Sequence, residues 1–308
     1  MDYLYLLLGI IFAGLGGELF VRGSVGIAQW LRVSPGIIGA TVAAFATSSP
    51  ETSVSITSAL ANKPQIALGD ALGSNIVNVS LILGLALLYK PIQVPKGSMR
   101  RDFPIALIVP AITAVLFLDG ALSRTDAFFL LATFSGWIWL IIQKARKERN
   151  ETDSVLGEAR HRFVIPLCIA GLFSLVLAGG LIVSGGRGIA ASFGVPEFII
   201  GATIVAIGTS VPELATTIIA CVKGHEEIGL GTVLGSNIFN GLFVVGTAAA
   251  INPIEMPWLP LIASLAFGVI CLVQAIPFKN GQILKAQGII LLASYLLYIF
   301  IVVRNQIL

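Results

Sequence analysis

Residues 39–51 read GATVAAFATSSPE, and residues 201–213 read GATIVAIGTSVPE. Each stretch puts a glutamate, Glu51 or Glu213, inside a long apolar run. A lone carboxylate in a membrane-spanning helix costs roughly 2.5–3.5 kcal/mol on insertion scales, so it marks a functional site unless something else explains it. Two such residues in one polar context make the case stronger than either alone.

The surrounding chain is that of a polytopic membrane protein. Of 308 residues, 56% are hydrophobic and 11% charged, against about 25% charged in soluble domains. The cysteines Cys168, Cys221 and Cys271 all fall in apolar segments, with neither zinc spacing nor a disulfide framework. The first segment is too long for a signal peptide and lacks a basic leader, so it reads as a retained helix.

Ten candidate spans follow, at about 3–31, 35–60, 66–89, 103–119, 124–143, 163–192, 197–222, 228–250, 256–276 and 285–304. Turn chemistry separates them at Asn62-Lys63-Pro64, Lys96-Gly97, Asp119-Gly120, Asn252-Pro253 and Lys279-Asn280-Gly281. The shortest break, Arg32 to Gly36, relies on Ser34-Pro35 to turn the chain. Loops after odd-numbered spans carry 14 Lys and Arg, against Lys63, Arg124 and Arg304 on the other side. The positive-inside rule then places both termini outside and the 144–162 loop in the cytoplasm. That hydrophilic loop is a solvated linker dividing the chain into halves, 1–143 and 163–308.

The halves repeat at an offset of 162. Ten of the fifteen positions in 37–51 are identical to their partners, and Gly73-Ser74-Asn75-Ile76 with Asn78 matches Gly235-Ser236-Asn237-Ile238 with Asn240. Apolar composition alone cannot match Thr, Ser, Pro, Glu and Asn. Five spans separate the copies, so the second enters the membrane from the opposite side. Inverted repeats of this kind place a transporter's site near the midplane, where the halves meet.

The chemistry of that site is all oxygen. Ala44, Thr47, Ser48 and Glu51 share one helix face at i, i+3, i+4, i+7, and Ala206, Thr209, Ser210 and Glu213 repeat it. Ser74 with Asn78, and Ser236 with Asn240, are spaced i, i+4 on the following spans. His161 and His225 are both in loops. Hydroxyls, amides and carboxylates suit hard cations such as Ca2+ and Na+, not zinc or copper. Pro50 and Pro212 deny a hydrogen bond to the carbonyls of Ala46 and Gly208, loosening each helix at its Thr-Ser pair. Two carboxylates about 5 Å apart repel by roughly 3 kcal/mol at an effective dielectric of 20, so they need cations between them or a proton on one. Exchangeable occupancy is what an antiporter requires.

Other polar residues in the spans read differently. Glu18 and Arg22 form a local i, i+4 ion pair. Asp70, matched by Thr232, caps the start of the third span with Gly69. Gly14, Gly16, Gly17, Gly179, Gly180, Gly185 and Gly186, in spans one and six, allow close helix contact.

The doubled signatures, T-S-x-P-E and G-S-N-I-x-N, resemble the cation/Ca2+ exchanger superfamily, and within it the prokaryotic sodium/calcium exchangers. The resemblance covers nearly the whole chain. It implies an all-α fold of ten transmembrane helices in two inverted five-helix repeats, with alternating access through spans one and six sliding across the other eight. It implies ion ligands at Glu51, Glu213, Thr47, Ser48, Thr209, Ser210, Ser74, Ser236, Asn78 and Asn240, with backbone carbonyls at Ala44 and Ala206. Ala46 stands where glycine is usual, and Asn240 where some archaeal relatives carry aspartate, so two full charges serve the site rather than three.

The activity expected is Ca2+ exchange against Na+ across the cell membrane, with Ca2+ and Na+ as cargo, no cofactor, no nucleic acid and no obligate protein partner. A Ca2+/H+ or K+-coupled antiporter is the alternative within transport, and a cation channel the alternative outside it. No Walker motif is present, and the serines lack the G-x-S-x-G context or an in-span histidine that a hydrolase needs.

Overall fold

A computed structural model describes residues 1–151, 163–192, 206–256, 258–278 and 280–307. Among these described residues the ten spans form ten helical elements. They are α1 (Asp2–Leu31), α2 (in pieces Pro35–Ile38, Gly39–Ala43, Ala44–Thr47 and Ser49–Leu60), α3 (Pro64–Ile76 continuing through Val77–Ile82 to Leu83–Tyr89), α4 (Lys96–Leu116) and α5 (Arg124–Glu151). The second half supplies α6 (Val164–Ser192), α7 (Ala206–Thr209 and Val211–Val222), α8 (Glu226–Phe239 through Asn240–Val244 to Val245–Ile251), α9 (Trp258–Gln274) and α10 (Lys285–Ile307). The expected start of the seventh span and the 152–162 part of the linker lie outside the described residues.

The turns behave as their residues dictate. Arg32 closes α1 in the left-handed conformation, its N–H reaching Ala28, and Pro35 opens α2 after the extended Ser34. Asn62, Gly120, Asn280 and Gly281 all take positive φ, at turns expected from those residues. Two helices are longer than hydropathy suggests. The α4 helix begins at Lys96, not at 103, so Lys96-Gly97 starts a helix instead of breaking one. Its first turns are polar: Arg101 clamps Asp102 through two bonds of 2.6 and 2.9 Å. The α5 helix runs to Glu151, past the expected end at 143, and Glu148 accepts the Ser34 N–H at 2.9 Å. Apolar runs mark membrane residence, not helix length.

Two small ribbons report the symmetry. Strand β1 (Ile92–Gln93) pairs antiparallel with β4 (Gln282–Ile283), and β2 (Ala121–Leu122) with β3 (Ile254–Glu255). Ile92 and Ile254 are 162 residues apart, so each ribbon is the repeat image of the other. Strands β1 and β4 follow α3 and α9, both odd, while β2 and β3 follow α4 and α8, both even. Only loops on one face of a bundle can pair, so each ribbon ties the two halves together at its own face.

Burial separates core from rim. In the most apolar 18-residue window of α8, 94% of residues are buried, against 28% in α1 and in the Val164–Gly186 part of α6. Leu4, Leu7, Ile10, Leu15, Ile165, Ile169 and Phe173 are exposed, as a lipid-facing surface requires. The polar side chains of α2, α3, α7 and α8 lie largely inside, which inverts the soluble pattern. Where α1 meets α6, a Cβ at Gly16 would come within 3.0 Å of the Gly171 carbonyl oxygen, and one at Gly185 within 2.5 Å of the Asp2 carbonyl oxygen. Backbones this close require glycine. Gly14 and Gly180 face open space and take no part.

Candidate functional site

Each motif helix breaks at its second hydroxyl. Ser48 (φ −83, ψ 15) interrupts α2 between Thr47 and Ser49, and Ser210 (φ −86, ψ 8) interrupts α7 between Thr209 and Val211. Pro50 and Pro212 are the cause, each sitting in the first turn of the segment that restarts. The Ala44 carbonyl accepts the Ser48 N–H at 3.0 Å and the Thr47 hydroxyl at 3.4 Å. The facing helices widen at the second motif: α3 becomes a π-helix over Val77–Ile82 and α8 over Asn240–Val244. Wide turns of this kind gather at functional sites.

These four helices bring the two motifs together. Ser48 of the first half donates to Glu213 Oε1 of the second at 3.0 Å, and Ser236 donates to the same oxygen at 3.3 Å. Thr47 is a further neighbour of Glu213, and Ser74 and Glu213 are neighbours of Glu51. Thr47, Ser48, Glu51, Ser74, Asn78, Glu213, Ser236 and Asn240 are all completely shielded from solvent, with Ser210 nearly so. Thr209 is partly buried, and Ala206 opens the short first segment of α7.

One pair was not assigned from sequence. Asn75 and Asn237 each donate a side-chain amide to the other's backbone carbonyl at 3.1 Å, a reciprocal bond across the repeat axis. Asn78 then donates to Asn237 Oδ1 at 3.1 Å. Their duplication within G-S-N was the signal available. The corresponding bond from Asn240 to Asn75 is not made, and both Asn240 side-chain polar atoms lack a partner among the described residues.

The site is unevenly satisfied. Both Glu51 carboxylate oxygens, Glu213 Oε2, the hydroxyls of Ser74 and Ser210, and the Oδ1 atoms of Asn78 and Asn240 have no hydrogen-bond partner among the described residues. At about 1–3 kcal/mol for each unpaired buried polar group, seven such oxygens cost as much as the 5–15 kcal/mol that is a typical net stability. A set of converging oxygens with two carboxylates is chemically fit to accept a hard cation. Asp70 is not the helix cap expected from sequence: α3 starts at Pro64, and Asp70 sits inside its first half. The Glu18–Arg22 pair forms at 2.5 Å, and Lys223, just past the end of α7, joins it at 2.7 Å.

Ten helices in inverted halves, with buried oxygens from both converging at the centre, define a multi-pass membrane transporter of cations. The sequence profile described as "Sodium/calcium exchanger protein" matches residues 1–143 and 163–304, and the chain belongs to that family. It is 36% identical to a protein named putative antiporter CaxA of Alkalimonas amylolytica over 81% of each chain. It is also 36% identical to the inner membrane protein YrbG of Escherichia coli, over 88% of this chain and 86% of that one. Among solved structures, the sodium-calcium exchanger NCX_Mj superposes with a TM-score of 0.83 at 30% identity, over 97% of both chains. Family and fold together support antiport of Ca2+ and other cations.

Proposed function

We propose that the protein is a secondary active antiporter that exchanges Ca2+ for Na+ by alternating access, with Glu51 and Glu213 as ligands shared by both cargoes. The observation that carries this reading is the cluster of unpartnered oxygens drawn from both halves around two fully buried carboxylates. The remaining ligands are Thr47, Ser48, Ser74 and Asn78 from the first half, Thr209, Ser210, Ser236 and Asn240 from the second, and the Ala44 and Ala206 carbonyls. Two carboxylates supply two negative charges, which one Ca2+ or two Na+ neutralise. Occupancy by one cargo therefore excludes the other, and that exclusion is the coupling.

Access alternates by movement of α1 and α6 across the other helices. Their close backbone contact and lipid-exposed outer faces support this division. The excess of Lys and Arg after odd-numbered spans supports a cytoplasmic 144–162 loop and external termini in the cell membrane. The test is 45Ca2+ uptake by proteoliposomes under Na+, K+ and H+ gradients imposed one at a time. Uptake is expected with the Na+ gradient only. Uptake driven by a pH gradient without Na+ would assign H+ as the counter-ion and overturn the sodium coupling.

A further inference from the structure

The two halves of the site are not equivalent. Glu213 is held by Ser48 and Ser236, whereas Ser74 lies beside Glu51 and, among the described residues, no group closes a hydrogen bond to either Glu51 oxygen. Ser74 and Ser210, the hydroxyls that the repeat would turn toward Glu51, are also unpartnered. One further carboxylate adjoins this open half. Asp70 lies on α3 four residues before Ser74, hence on the same helix face and about 6 Å along the axis. It is within electrostatic reach of Glu51 and partly buried. Among the described residues no hydrogen bond or ion pair engages it.

The repeat counterpart shows that this position has no structural need for charge. Thr232 is fully buried and donates to the Ile228 carbonyl of its own helix at 2.8 Å. Asp70 therefore breaks the symmetry at a cost that no described neighbour offsets. No three carboxylates, histidines or cysteines among the described residues gather into a single metal-holding group. The role of Asp70 is accordingly one step outside the central pair.

We propose that Asp70 is a third carboxylate serving the cation path, drawing Na+ or Ca2+ toward the Glu51 carboxylate and the Ser74 hydroxyl at the outer edge of the site. This rests on the exchanger reading and extends it. Asp70 lies toward the end of α3 that faces away from the 144–162 loop, the side that reading makes external. A cation arriving from that side meets Asp70 before Glu51. The attraction scales with the charge of the ion, so Ca2+ gains twice the free energy that Na+ gains, and the affinity factor for Ca2+ is the square of that for Na+.

The test is equilibrium binding of 45Ca2+ and 22Na+ to purified full-length protein, for the wild type, Asp70→Asn and Asp70→Glu. Asp70→Asn is expected to weaken Na+ about threefold and Ca2+ about tenfold, while Asp70→Glu, which keeps the charge, stays near wild type. Unchanged affinities in Asp70→Asn, equal factors for the two ions, or an equal loss in Asp70→Glu would each overturn the role of Asp70. Wild-type protein that binds no Ca2+ would overturn the exchanger reading itself, a different result.

Discussion

A carboxylate shut away from water inside a membrane protein has to find its solvation in the protein. At Glu213 the hydroxyls of Ser48 and Ser236 supply part of that solvation, and the Ser48 bond crosses from one half of the molecule to the other. A hydrogen bond to a charged group contributes about 1.5–3 kcal/mol. Ser48→Ala is therefore expected to raise the Ca2+ concentration for half-maximal exchange at least about tenfold, read from 45Ca2+ uptake against external Ca2+. An unchanged half-maximal concentration would remove Ser48 from the site. The buried polar cluster at the centre was legible because its residues are written twice, 162 positions apart. Asp70 was misread for the same reason: it has no acidic copy, and a residue beside glycine near a span boundary looks like a cap. The pairing of Asn75 with Asn237 is not legible in the motif, because a reciprocal bond across an axis needs both helices in place.

At the scale of elements, two prolines and a handful of glycines shape the centre. The breaks at Ser48 and Ser210 follow from the missing N–H of Pro50 and Pro212, and were legible. The π-helical turns were not, because no residue type encodes them: they arise where α3 and α8 bulge around Asn78 and Asn240. The helix extensions at Lys96 and Glu151 were missed for another reason, since they are built from polar residues that hydropathy assigns to loops. Packing between α2 and α8 depends on glycine. A Cβ at Gly235 would sit 2.5 Å from the Ala40 carbonyl oxygen, a backbone atom that cannot swing aside. Gly235→Ala is expected to cost about 1–3 kcal/mol as overpacking does elsewhere, visible as a lowered thermal-unfolding midpoint in detergent. A midpoint equal to wild type would mean the two helices part freely.

For the molecule as a whole, the inverted repeat is the feature from which the rest follows. The count of five spans between copies came from sequence, and the ribbons bear it out by pairing odd loops with odd and even with even. The strands were too short for the sequence to announce. Orientation is a matter of charge: a cysteine at Ser154, in the 144–162 segment, should react with a membrane-impermeant maleimide in inside-out vesicles and be protected in intact cells. The opposite pattern would invert the whole molecule. The central claim is that one site with two shared carboxylates couples the two cargoes. Its most direct test is 45Ca2+ uptake into Na+-loaded proteoliposomes by wild type and Glu213→Gln side by side. Wild type should accumulate Ca2+ against its gradient only while the Na+ gradient lasts, and Glu213→Gln should show none. Undiminished uptake by Glu213→Gln would contradict the account.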